Sequence, residues 1–219
     1  MKIAIIHATV NAVAPLMAAI KKFPNLQGIN FVNDSLLAYT GEHGVDKYIL
    51  RQFTKTLFAA IESKPDGIIV ACNVFCPYVE LMKNFTDIPM IAIDSAMLQK
   101  AATCGKKVGI IATNNVGGDS AKVSIENLAK AVGFEPKVLV TVEAEAAQAL
   151  NSGDMQSFKA IIKAAAAKLK ESGCEVMVLA QITLACCAEY VAELGVEVLT
   201  SPDEGVKYLL ELINASEAK

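Results

Sequence analysis

The apolar run Lys2-Ile3-Ala4-Ile5-Ile6, followed by Ala8-Thr9, returns near the middle of the chain as Lys107-Val108-Gly109-Ile110-Ile111, followed by Ala112-Thr113. A second echo keeps the same order: Asp66-Gly67-Ile68-Ile69-Val70-Ala71 is matched by Glu175-Val176-Met177-Val178-Leu179-Ala180. A weaker third pairs Ile88-Pro89-Met90-Ile91-Ala92-Ile93-Asp94 with Gly195-Val196-Glu197-Val198-Leu199-Thr200. A chain of 219 residues lies between one large domain and two small ones, so this self-similarity decides the organisation. It predicts two similar lobes, residues 1–94 plus 200–219 and residues 95–199. The last helix is given to the first lobe because it has nowhere else to pack.

Short β-branched runs alternate with longer Ala-, Leu- and Lys-rich stretches of helical period. Strands are expected at 2–7, 28–32, 67–72, 90–93, 107–112, 137–141, 175–180 and 196–199. Helices are expected at 12–22, 44–63, 76–84, 95–103, 119–131, 144–150, 154–171, 184–193 and 203–214. Near-continuous apolar strands between helices belong to parallel sheets covered on both faces. The fold class is therefore α/β, two pseudo-symmetric lobes, each a parallel sheet with flanking helices and an active-site cleft between them. Groups just after the strands, where loops and helix N-termini gather, become the candidates for function: His7 to Asn11, Cys72 to Phe75, Thr113 to Gly118 and Gln181 to Thr183.

Several classes are disfavoured by composition. The chain is 53% hydrophobic, but in short runs broken by charges, well below the roughly 18 apolar residues of a membrane span. The first residues lack the length and the small-residue cleavage site of a secretory signal, so a cytoplasmic protein is expected. Twenty basic against 23 acidic residues give a net charge of −3 with no dense basic cluster, which argues against nucleic acid as a partner. The six cysteines (Cys72, Cys76, Cys104, Cys174, Cys186, Cys187) have no paired zinc spacing, and His7 and His43 are the two histidines, so no metal is expected. The thiols are expected to be reduced, most of them as small buried hydrophobes, with Cys186 and Cys187 facing the core.

Cys72 stands out. It follows Ile68-Ile69-Val70-Ala71 and precedes Asn73 and Val74, with a helix expected from about Cys76 or Pro77. A thiol near a helix N-terminus is favoured as thiolate, and free backbone N–H groups there can hold a carboxylate. Thr9, Asn11, Thr113, Asn114 and Thr183 bring hydroxyls and amides to equivalent strand ends, suited either to a small carboxylate or to helix capping. The Gly117-Gly118 pair lacks both the dinucleotide fingerprint and a P-loop lysine. His7 ends the first strand and is a candidate acid or base, although a satisfied core histidine is the commoner outcome.

With these residues in place, the chain resembles the aspartate/glutamate racemase superfamily over nearly its whole length. The carriers are Ile6-His7-Ala8-Thr9, Phe31-Val32-Asn33-Asp34-Ser35-Leu36-Leu37, Ala71-Cys72-Asn73, Ile93-Asp94-Ser95-Ala96-Met97, Ile110-Ile111-Ala112-Thr113, Leu179-Ala180-Gln181 and Leu199-Thr200-Ser201-Pro202. The resemblance implies two lobes about an active site and cofactor-independent proton transfer at the α-carbon of a small acidic or amino carboxylate, with one thiol from each lobe and no pyridoxal phosphate. Cys72 matches the first thiol, and the second falls at Gln181, which has no titratable proton. Three readings stay open: Cys186, Cys187 or His7 supplies the second group; the chemistry is one-sided, as in the superfamily's single-cysteine decarboxylases, with Cys72 as proton donor; or the chain binds a carboxylate without turning it over. Asn73, Val74 and the strand-end hydroxyls and amides are then the substrate-binding candidates, Gln181 a possible orienter, and a homodimer is expected.

Overall fold

The computed structural model describes residues 1–217, so the last two positions of the expected 200–219 segment lie outside the described residues. The chain runs β1 (Lys2–His7), α1 (Val13–Ile20), β2 (Gln27–Val32), α2 (Ser35–His43), α3 (Lys47–Glu62), β3 (Gly67–Val70), α4 (Val79–Met82) and β4 (Met90–Ala92). It continues through α5 (Ser95–Thr103), β5 (Val108–Ala112), α6 (Asn115–Ala131), β6 (Val138–Val142), α7 (Ala144–Asn151) and α8 (Met155–Glu171). It closes with β7 (Val176–Leu179), α9 (Ala188–Ala192), β8 (Glu197–Thr200) and α10 (Ser201–Glu217). Two compact units result: Met1–Asp94 together with the segment from Pro202, and Ser95–Ser201.

Each unit holds a four-stranded sheet, in the order β2-β1-β3-β4 and β6-β5-β7-β8, and every strand pair is parallel. The two orders are the same, as the internal repeat requires. All residues of β3, β5 and β7 are buried, and alternate side chains leave opposite faces. In the second unit, Val108, Ile110 and Ala112 pack with Met97, Ala101 and Ala102 of α5 and Ala121, Ile125 and Ala129 of α6. Ile111, Met177 and Leu179 instead meet Phe158, Ile162 and Ala166 of α8. In the first unit, Ile6, Ile68 and Val70 pack with Ile49, Phe53 and Leu57 of α3 and Val79 and Met82 of α4. Among the described residues no helix is long and apolar enough to cross a membrane.

All eight expected strands are present, and the helices differ in instructive places. The segment expected as one helix over 44–63 is preceded by a separate helix, α2, that periodicity did not show: Leu36 is buried while the adjacent Leu37 is exposed, so no long apolar stripe marks it. Gly44 ends α2 at φ 73°, and the Asp46 carboxylate, accepting from Ile49 N–H at 2.8 Å, begins α3. The helix expected over 76–84 is a 3-10 turn (Cys76–Tyr78), the single turn α4 and a second 3-10 turn (Lys83–Phe85). That expected over 184–193 is a 3-10 segment (Ile182–Cys187) leading into α9. Helix α6 starts earlier than the expected 119 because Asn114 Oδ1 accepts from Gly117 N–H at 2.8 Å and caps it.

Helix α10 follows β8 in the chain but packs in the first unit. A Cβ at Gly67 on β3 would lie 2.8 Å from Ile213 Cδ1 and 3.0 Å from Leu209 Cδ2, and Lys22 Nζ reaches both Asp203 carboxylate oxygens at 2.8 Å. The closest approach is at Gly205, where a Cβ would lie 2.5 Å from the Ile93 carbonyl oxygen and 2.6 Å from its Cδ1. Backbone cannot yield there as a flexible side chain would. Gly205→Ala is therefore expected to lower stability by about 1–3 kcal/mol through overpacking, read from urea unfolding; an unchanged midpoint would show that α10 is free to shift.

Candidate functional site

In the first unit the site grows out of the end of β3. Ala71 N–H donates to the Ile6 carbonyl at 2.8 Å, the last bond holding the strand against β1. The chain then turns, and the Cys72 carbonyl accepts from Phe75 N–H at 2.9 Å and Cys76 N–H at 3.0 Å. Phe75 is fully buried and stacks on Phe53 of α3, ring centroids 4.6 Å apart and planes 6° from parallel, which pins the turn to the core. Cys72 is left partly buried, with Asn73 and Val74 partly buried beside it.

The protonation of Cys72 departs from the sequence expectation. No long helix starts at Cys76, so no aligned dipole favours the thiolate. Burial pushes the thiol above its ordinary value of 9.0, opposed by the Val74 and Phe75 N–H groups and reinforced by the negative charge of Asp94. Cys72 rests as a thiol.

Asp94 was missed by the sequence reading as a chemical group, although an acidic residue directly after the apolar strand Met90-Ile91-Ala92-Ile93 was the available signal. It is buried, 8% exposed, and burial raises its pKa while the Cys76 thiol hydrogen-bonds to it. Burial first, and Asp94 next, push the Cys76 thiol well up, and its Sγ also lies 3.7 Å from the Val70 carbonyl oxygen. Cys72, Cys76 and Asp94 thus cluster at the carboxyl end of the sheet, both thiols held protonated and the carboxyl held above its ordinary pKa by burial.

His7 is wholly buried at the end of β1, with Nε2 2.9 Å from Asn30 Oδ1 on β2 and Nδ1 without a partner among the described residues. Burial lowers its pKa and the Asn30 bond works the other way, so the ring is neutral. Thr9 Oγ1 accepts from Asn11 N–H at 3.4 Å and caps the 3-10 turn Val10–Ala12, with Asn11 exposed.

The second unit repeats the frame with different groups. Ile6 pairs with Val70 and Ile111 with Leu179, and Ala180 N–H donates to the Ile111 carbonyl as Ala71 N–H does to Ile6. Cys72 and Gln181 therefore hold equivalent positions. The same register corrects one match in the repeat: His7 and Ala112 both close their strands, so Thr9 corresponds to Asn114, which also caps, rather than to Thr113. Gln181 Oε1 accepts from Thr113 N–H at 3.1 Å, which fixes the amide's orientation and leaves Nε2 buried without a partner among the described residues. A Cβ at Gly117 would lie 2.2 Å from that nitrogen, so Gly117 makes room for Gln181. Thr183 is partly buried in the 3-10 segment, Cys187 is buried and Cys186 is exposed. The expectation that both of the last two thiols face the core fails for Cys186, because successive residues in a 3-10 turn point about 120° apart.

A family model described as Asp/Glu/Hydantoin racemase matches residues 10–209. The chain belongs to this family. Among curated proteins no sequence match is found. The fold is similar to that of the Picrophilus torridus aspartate racemase, at 9% identity and a TM-score of 0.74 over 97% of this chain and 94% of that one. It is likewise similar to a glutamate racemase from Bacillus anthracis (15% identity, TM-score 0.73, 98% and 82% covered) and an allantoin racemase from Klebsiella pneumoniae (19% identity, TM-score 0.70, 99% and 89% covered). Membership in a racemase family supports an isomerase.

Because the folded pKa of His7 lies below its ordinary 6.5, its contribution to stability is present above that pH and is lost as pH falls through it. His7→Gln removes the titration, so between about pH 7 and pH 5 its stability should fall less steeply than that of the unsubstituted protein, followed by chemical denaturation at each pH. Parallel slopes would show that His7 protonates as easily in the folded state as in the unfolded one.

Proposed function

We propose that the protein is a cofactor-independent isomerase that moves a proton at the α-carbon of a small acidic or amino carboxylate, with Cys72 as the reacting group. The observation that carries this reading is the thiol of Cys72, presented just beyond β3 by a turn anchored through Phe75 and facing the N–H groups of Val74 and Phe75. Those N–H groups stabilise the thiolate once it forms, so Cys72 can alternate between base and acid. Donors suited to a carboxylate lie at the strand ends of each unit: Thr9, Asn11, Asn73 and Val74 in the first, Thr113, Asn114 and Thr183 in the second. The unpartnered Nε2 of Gln181 supports a role as a hydrogen-bond donor that orients the substrate, since the amide itself exchanges no proton.

A second reading is favoured by the protonation of Cys72. A thiol held above its ordinary pKa is a ready proton donor, which suits a single-cysteine lyase in which loss of carbon dioxide leaves a carbanion that Cys72 protonates. The pH profiles separate the two. Abstraction by Cys72 needs the thiolate, so its rate rises through the alkaline range toward the raised pKa; donation needs the thiol, so its rate is level there and falls above that pKa.

Incubation in heavy water with acidic amino acids, hydroxy acids and substituted malonates, followed by proton NMR, tests the proposal. Deuterium entering the α-carbon of both enantiomers supports the isomerase; carbon dioxide release with stereospecific labelling supports the lyase; no reaction with any compound leaves carboxylate binding without turnover as the better account. Cys72→Ser is expected to abolish turnover while changing stability by less than about 1 kcal/mol, and retained activity would remove Cys72 from the chemistry. Gln181→Cys restores a thiol at the equivalent position and is expected to raise racemisation of any substrate so found.

A further inference from the structure

Gln181 follows the buried strand β7 and is partly exposed as a whole, yet its Nε2 is covered and has no partner among the described residues. Its Oε1 accepts from Thr113 N–H at 3.1 Å. That bond decides which way the amide faces, because a backbone N–H is a donor and turning the amide over would set two donors against each other. The nitrogen end fills the space of a missing side chain: a Cβ at Gly117 would lie 2.2 Å from Nε2 and 3.2 Å from Cδ. Asn114 Oδ1 borders the same space, 3.3 Å from that Cβ, and is engaged by Gly117 N–H at 2.8 Å. The φ of Gly117 lies outside the left-handed region, so its backbone does not call for glycine; the amide beside it does. Gly118, next in the first turn of α6, is small for another reason, since a Cβ there would meet Val140 Cγ1 at 3.0 Å and Ala112 Cβ at 3.4 Å on the sheet.

We propose that Gly117 is a positioning residue that locks the Gln181 amide as a one-way hydrogen-bond donor, and that the ligand atom this amide takes is a carboxylate or carbonyl oxygen rather than an ammonium. The proposal deepens the carboxylate reading above and rests on it. A free glutamine offers one acceptor and two N–H donors, and by turning over it can serve either kind of ligand. Here the acceptor is engaged by Thr113 and the nitrogen is confined by Gly117, so only the donors remain to be answered. They lie where water is excluded, a setting in which an unanswered donor is unfavourable and an incoming oxygen is correspondingly favoured. An ammonium brings only further donors. The glycine thus selects the chemistry of the ligand without touching it.

The test is titration of the nitrogen-15-labelled full-length protein with malonate and, separately, with diaminopropane, a diammonium of similar length. The readout is the side-chain amide resonance of Gln181, identified by its loss in Gln181→Glu. Malonate is expected to move that resonance saturably, and the diammonium to leave it in place. Gly117→Ala puts a Cβ where Nε2 lies and should weaken malonate binding by about tenfold or more. Gly118→Ala disturbs the same turn but meets sheet side chains instead of the amide, and should leave malonate affinity within about twofold. Gln181→Glu keeps an acceptor for Thr113 and removes the donors, and should abolish the preference for malonate over the diammonium. Combining Gly117→Ala with Gln181→Ala clears the clash and should return the stability lost in Gly117→Ala while malonate binding stays weak, which a purely structural glycine would not produce.

An amide resonance unmoved by malonate, an equal response to both compounds, or a Gly117→Ala protein that binds malonate as tightly as the unsubstituted one would each overturn the proposal. None of these readings needs turnover. An inactive protein whose Gln181 amide answers malonate keeps the donor and removes the isomerase, whereas proton exchange at an α-carbon with the amide unmoved does the reverse.

Discussion

Parallel pairing of β1 with β3, and of β5 with β7, is the constraint from which the rest follows. Parallel strands bring all their carboxyl ends to one edge of a sheet, and because the central strands are buried on both faces, only the residues beyond those ends are available for chemistry. The Ala71–Ile6 and Ala180–Ile111 hydrogen bonds mark where each ladder stops. One position later stand Cys72 and Gln181. The duplicated scaffold is therefore symmetric up to the reacting groups and asymmetric at them, and an account of function has to begin with that difference.

At Cys72 two opposing effects of similar origin meet. Backbone N–H groups stabilise the thiolate, as they do at helix N-termini, but the packing that aims them at the sulfur also removes water from it and places Asp94 nearby. Desolvation prevails, so the enclosure that orients the thiol also keeps it protonated. Cys186 is the converse case. Its surroundings are open, and its thiol is lowered from 9.0 to about 7. Exposure, rather than the presence of donors, separates the two.

The sheets were legible because fully buried parallel strands are written as continuous apolar runs, and because the chain states the pattern twice. Helix α2 was not, since among the described side chains of Ser35–His43 only Leu36 turns fully into the core, which offers no stripe to read. The position of Cys72 could be read from one strand, whereas its protonation depends on Val74, Phe75 and Asp94 at once, a convergence no local pattern carries. Asp94 itself was visible as the acid after β4, but its value lies in a hydrogen bond to Cys76, a residue far from it in sequence. Cys186 and Cys187 are neighbours, and successive side chains on a helical turn, 3-10 or α, point about 100–120° apart, so that one meets the core while the other faces outward, a choice that apolar residues at both positions do not reveal.

Helices α5 and α10 each follow a strand of one unit and pack in the other. During synthesis this inverts the usual order of domain completion. The first unit's strands emerge early, but the face of β3 that waits for Leu209 and Ile213 stays uncovered until α10 has left the ribosome, by which time every strand of the second unit has already appeared. A nascent chain of this kind has no stage at which its N-terminal half is finished alone, and the two halves must mature together.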